Sequence, residues 1–229
     1  MSLLQVPKPK AKCLQNTHKI VEYAVEAAGS LLEIYDDLMA NRGGGAPKTE
    51  EQDLLRAMVV LAGAGLDASL KQIAQDALYT IVDVSVEAQN ELMTFAERRL
   101  VRADLQGGVI FNAKEVARLI VSTSPRKVAI ESLVHDLTGR SLQSFEELQR
   151  ALRHFGVSNL NVDRAKLNGA FDTRNRIVHE MDMNLQHPTR KRRARKRDEM
   201  LRHVEVLLKT AAGVLDSVDK TLGSRSADG

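Results

Sequence analysis

The chain has 229 residues, a length that fits one large domain or a domain with a helical extension. Hydrophobic residues at 43% and charged residues at 28% allow a substantial core and a soluble surface, while the absence of Trp and only five Phe and three Tyr argue against a fold that stacks unpaired bases on exposed aromatics. The net charge of +3 is unevenly spread: seven cations lie within residues 190–197, and setting them aside leaves −4 on the rest of the chain.

Residues 1–14 hold two prolines and no apolar core segment, so they read as a flexible N-terminus and not as a signal peptide. Cys13 is the sole cysteine, which excludes an intramolecular disulfide and a thiolate zinc cluster. Over residues 15–39, Ile20, Tyr23, Ala24, Ala27, Leu31, Ile34, Tyr35 and Leu38 recur at three- and four-residue spacings, one apolar stripe of an amphipathic helix. The run Asn41-Arg42-Gly43-Gly44-Gly45-Ala46-Pro47 ends it; without a Lys-Ser/Thr pair it is a linker and no phosphate loop.

Thr49 with Gln52 forms a capping box for a second helix reaching toward Tyr79. Its uncharged stretch Ala57–Leu66 is far short of the roughly 20 residues that span a bilayer, so no membrane association is expected and the protein reads as cytoplasmic. The same helix contains Ala62-Gly63-Ala64-Gly65. Two mid-helix glycines cost about 1 kcal/mol each relative to Ala, which predicts the close approach of another helix, within the fold or across a dimer.

A third helix is expected over residues 87–102 and a short extended piece over residues 106–111. Asn112 with Glu115 opens another helix, Ser124-Pro125 starts the next, and Gly139 ends it. Ser144 with Glu147 caps a helix that stops at Gly156. A helix over residues 162–181 follows, then Pro188, then a long final helix over residues 189–222 and a disordered tail at 223–229. All five prolines fall at termini or junctions. The fold class is all-α: a single helical domain over residues 15–222, a bundle with a long basic C-terminal helix.

The candidate site is Arg174-Asn175-Arg176-Ile177-Val178-His179. On a helix Asn175 and His179 share one face, and the long Arg174 side chain can sweep toward them. An imidazole exchanges a proton near neutral pH, a guanidinium forks onto phosphate oxygens as charge builds there, and an amide orients either. That trio suits a phosphodiester beside a 2′-OH, whose cleavage needs no metal and no cofactor. The plainer alternative is a surface helix turn, with Arg176 paired to Asp172 and Glu180.

This run, late in a helical chain, resembles the signature of the HEPN superfamily: Arg, four to six residues, then His, often with a polar residue directly after Arg. The segment from Leu54 to Leu70 likewise resembles the "LLRA…LEAYL" helix of the RiboL-PSP-type HEPN branch, with Asp67 in the place of its acidic residue. The resemblance implies a HEPN-like bundle that dimerises to form a composite ribonuclease cleft. It also implies metal-independent endoribonuclease activity in toxin–antitoxin or antiphage settings, with Arg174, Asn175 and His179 catalytic and Asp67 holding Arg174 by an ion pair. Met181 stands where the nucleotidyltransferase-paired toxins have Tyr, which argues against that antitoxin class, although another antitoxin or defence-system partner stays open.

Arg190, Lys191, Arg192, Arg193, Arg195, Lys196 and Arg197 would surround the axis of the final helix and so face a polyanion, with RNA phosphates gripped without regard to sequence. Cations at a helix N-terminus oppose its dipole, which points the same way. His187 is a lesser candidate for the same cleft, and Asp36-Asp37 read as exposed helix charge. Two other functions stay open: a non-catalytic HEPN-like module that holds RNA or an acidic partner through residues 190–197, and a helical adaptor whose Ala/Gly-rich helix is a partner interface.

Overall fold

The computed structural model describes residues 4–43, 45–103, 109–186 and 188–223. Among them are nine α-helices: α1 (Gln15–Asn41), α2 (Thr49–Asp76), α3 (Leu78–Val84), α4 (Val86–Leu100), α5 (Ala113–Ile120), α6 (Pro125–Thr138), α7 (Phe145–His154), α8 (Arg164–Glu180) and α9 (Arg197–Gly223). Strands β1 (Val101–Ala103) and β2 (Val109–Phe111) form one antiparallel pair, Arg102 opposite Ile110. The protein is an all-α helical bundle, and no described helix is long and apolar enough to cross a membrane.

Local signals explain most boundaries. Side chains of Asn112, Ser144 and Asp163 accept the backbone N–H groups of Glu115, Glu147 and Lys166, capping α5, α7 and α8. Pro125 opens α6, and Gly156 turns the chain after α7 with φ +66°. At α2, Glu51 and not Gln52 completes the cap by accepting the Lys48 N–H. Gln52 turns instead to the Pro47 carbonyl and to the N–H of Arg195. The helix expected over residues 87–102 ends at Leu100, because Val101 to Ala103 pair with β2; of the expected extended piece, residues 106–108 lie outside the described residues.

α2 is the spine, packing on α1, α6, α8 and α9. The Ala-Gly stripe explains the closeness on two sides. A side chain at Gly65 would overlap Ala24 of α1, and a Cβ at Gly63 would stand 3.2 Å from Arg174 Cγ on α8. Helix α1 departs from the expected single stripe: Val21, Ala24, Val25, Ala28, Leu32 and Tyr35 face the core, whereas Tyr23, Ile34 and Leu38 are exposed. Residues 4–14 are not a free arm. Leu14 is buried, Leu4 and Val6 pack on the core, and the Lys10 and Ala11 N–H groups bond Asp219 of α9. Two prolines extend this segment along the body, and its apolar residues anchor it. In the tail, Gly223 closes α9, and residues 224–229 lie outside the described residues.

Candidate functional site

Helix α8 presents the Arg174–His179 run on a half-exposed surface. Its inner positions Leu167, Ala170, Phe171 and Thr173 are buried against α2 and α9, which fixes the rotation of the helix. Arg174 and Asn175 are half-buried and His179 is exposed. Arg174 Nη1 donates to Asn175 Oδ1 at 3.1 Å, so the guanidinium bends toward the face that Asn175 shares with His179. Its stem crosses Gly63, and its Nε is buried with no hydrogen-bond partner.

Asp67 does not make the expected ion pair. One carboxylate oxygen takes Lys71 Nζ at 2.7 Å, and the other accepts the Leu142 N–H at 2.7 Å. Two competitors explain this: Lys71 lies one helical turn away on α2, and the loop before α7 brings in a backbone N–H that needs an acceptor. Asp67 reaches Arg174 only through its field. Burial lowers the Arg174 pKa from the usual arginine value, and Asp67's charge opposes that shift. No carboxylate lies within ion-pair distance of Arg174 among the described residues. Arg56, Arg99, Arg140, Arg150, Arg192, Arg195 and Arg197 by contrast each hold one.

α8 ends in an unusual way. Met181 and Asp182 both adopt left-handed backbone, φ +51° and +57°, and the Asp182 N–H closes onto the Arg176 carbonyl. The turn drives Asp182 into the body, where it is 0% exposed. Two guanidiniums meet it: Arg56 Nε of α2 at 2.8 Å, and Arg195 with Nε at 2.9 Å and Nη2 alongside. Arg56 also donates to the Arg193 carbonyl at 2.6 Å. Burial raises the Asp182 pKa, but hydrogen bonds from Arg195 and Arg56 outweigh it and hold the carboxyl below its ordinary range.

This clasp reshapes the basic segment. Residues 190–196 are not helical; α9 begins only at Arg197. The Asn184 N–H donates to the Lys191 carbonyl and the Arg193 N–H to the Asp182 carbonyl, bridging Met183 to Arg192, so the chain runs back along the end of α8. Extended backbone sends alternate side chains to opposite sides. Arg193, Arg195 and Arg197 turn inward while Ala194 and Lys196 stay out. Arg195 is buried on Asp182, Arg197 forks onto Asp36 with two contacts of 2.7 Å, and Arg192 forks onto Asp53. Arg193 Nε is buried without a partner. Seven solvent-facing cations therefore reduce to Arg190, Lys191 and Lys196, which are exposed and have no carboxylate partner among the described residues. Asp36, expected as bare helix charge, is an anchor.

No family model matches the chain, and no curated protein or solved structure is similar to it. The site is known by its geometry alone.

Two features escape a reading by motif. His203 of α9 places Nε2 3.3 Å from Oγ1 of Thr173, the residue before Arg174, and burial lowers its pKa. Its i, i+4 relation to buried Leu207 is the sequence signal that it faces inward. Asp182 sits in Glu180-Met181-Asp182-Met183 with nothing local to mark it, because its partners lie 126 and 13 residues away. His187 lies outside the described residues, and among those described no group of three or more His, Cys, Asp or Glu is placed to hold a metal ion.

Proposed function

We propose that the protein is a HEPN-like endoribonuclease that cleaves RNA through the substrate's own 2′-OH. The supporting observation is Arg174: a half-buried guanidinium held by a neutral amide, with no carboxylate to neutralise it among the described residues, on the same helix as the exposed imidazole five residues on. A cation kept partly out of water and left uncompensated favours an anionic ligand, and it is worth most where charge develops on phosphate. In this reading His179 takes the 2′-OH proton as that oxygen attacks phosphorus, Arg174 stabilises the charged phosphoryl oxygens, and the 5′-oxygen leaves with a proton. The products are a 2′,3′-cyclic phosphate and a 5′-OH end.

The leaving oxygen needs a second proton donor, which we assign to the imidazole of a second copy in a homodimer. Val178, 40% exposed, and Met181, 64% exposed, flank His179 and supply apolar surface for that contact. The setting would be a toxin or antiphage effector restrained by a partner. Incubating purified protein with RNA in EDTA tests this: wild type cuts, whereas Arg174→Ala and His179→Ala leave RNA intact with an unchanged helical circular-dichroism spectrum.

The second reading, a non-catalytic module, draws on Arg190, Lys191 and Lys196, which are exposed and have no carboxylate partner among the described residues. It predicts RNA retention that is lost on removing those three cations and is indifferent to His179→Ala.

A further inference from the structure

A second basic cluster lies on other elements. Between α4 and α7 a cleft of about 160 Å³ is lined by Glu91, Thr94, Phe95, Arg98, Arg99, Asp136, Arg150 and His154. Its carboxylates are already spoken for. Asp136 holds Arg140 at 2.6 Å together with Arg150, and Glu91 faces Arg153 at 3.7 Å. Arg99 holds Glu115 at 2.7 Å through Nη2, while its Nε is buried with no partner. Arg98 is exposed and has no carboxylate partner among the described residues. Five guanidiniums thus stand against four carboxylates, counting Glu147, which Arg140 and Arg150 share.

His154 is 4% exposed, at the C-terminal end of α7, and its Nδ1 has no hydrogen-bond partner. Packing holds it there: the Phe95 ring meets it edge-on with centroids 6.3 Å apart, and the Arg99 guanidinium lies over the same Phe95 ring, 5.6 Å from its centroid. Burial is the chief reason its pKa falls to about 4, and Arg150 and Arg153 push it the same way. An imidazole kept neutral in a positive field, two orphaned nitrogens and an unpaired arginine describe a site short of one anion.

We propose that the α4–α7 cleft binds a small phosphate-bearing ligand, a phosphomonoester or free phosphate, through Arg98, Arg99, Arg150 and His154. Guanidiniums fork onto such oxygens. The volume suits a terminal phosphate with few attached atoms and not an internal phosphodiester with a nucleotide on either side. The proposal stands apart from the ribonuclease reading, since no residue is shared.

Full-length protein is titrated with inorganic phosphate and with adenosine 5′-monophosphate at fixed ionic strength, and the His154 imidazole resonances are followed by NMR. Both probes are expected to saturate the shift, and His154 titrates at higher pH with ligand bound. Arg98→Gln, an exposed substitution compatible with folding, should weaken binding by about tenfold, while Arg174→Ala leaves it unchanged. Tighter binding of the nucleotide assigns an organic phosphomonoester; equal binding, or binding of phosphate alone, assigns the phosphate group itself. The proposal is overturned if His154 does not respond by about 10 mM of either probe, if Arg98→Gln binds as wild type, or if an oligonucleotide with hydroxyl ends competes as well as phosphate.

Discussion

Asp182→Asn probes the feature that the rest of the C-terminal region depends on. The carboxylate is fully buried, and both guanidiniums it neutralises are nearly so, Arg56 at 4% and Arg195 at 7% exposed. Asparagine keeps the size and tolerates left-handed backbone, so the substitution removes charge and little else. Two buried cations lose their counter-ion, and breaking a buried pair from one side costs about 3–5 kcal/mol. Arg56 retains Asp53 at 3.1 Å and Arg195 retains Glu199 at 3.4 Å, which favours the lower end of that range. For a chain of this size, a loss of about 3 kcal/mol should lower the midpoint of thermal unfolding by roughly 6–12 °C, at about 2–4 °C per kcal/mol. Because the folded pKa is depressed, the carboxylate's contribution is whole above the unfolded value near ~3.9 and is lost as pH falls through the folded value. The variant should therefore lose the acid-labile part of stability below about pH 4. Urea unfolding at pH 7 and pH 3 measures both. A loss under about 1 kcal/mol at pH 7 would show that the clasp is not a buried ion network.

Other expected outcomes are briefer. Gly63→Ala gains up to about 1 kcal/mol of helix propensity, yet its Cβ at 3.2 Å displaces the Arg174 stem, so RNA cleavage falls while the melting temperature holds or rises. Gly65→Ala collides with Ala24 and should lower stability by about 1–3 kcal/mol in chemical denaturation, overpacking outweighing propensity. His154, neutral and buried with a pKa of about 4 against 6.5 unfolded, makes stability drop as pH falls from 6.5 toward 4, by about 3 kcal/mol in all; His154→Phe should flatten that limb, which pH-resolved melting reads directly. Replacing Arg190, Lys191 and Lys196 together with Ala should reduce the slope of log affinity against log salt for single-stranded RNA by roughly 2, at about 0.7 per phosphate contact, with unchanged unfolding.

The helices were legible because their signals are local. Asn112 with Glu115, Ser144 with Glu147, Pro125 and Gly156 each act within one turn, and the sequence shows them directly. The Ala62–Gly65 stripe also announced close packing, and both glycines are used for it. What could not be read depends on partners distant in the chain. Seven cations in eight positions look like a polyanion handle until Asp36, Asp53 and Asp182 are placed beside them, and α1's charge and α2's charge carry no label saying so. The alternation of 193, 195 and 197 follows from an extended backbone that the run of Arg and Lys does not itself specify. Asp67 was displaced from its expected role by Lys71 and by the Leu142 N–H, one local competitor and one 75 residues away.

In the proposed reaction Arg174 and His179 cut RNA. The most direct measurement maps RNA ends after incubation with purified wild type and His179→Ala in EDTA. Metal-independent cuts bearing 2′,3′-cyclic phosphates with wild type, absent with the variant, are the predicted result. RNA left intact by wild type at high protein concentration, or cut equally by His179→Ala, would contradict it.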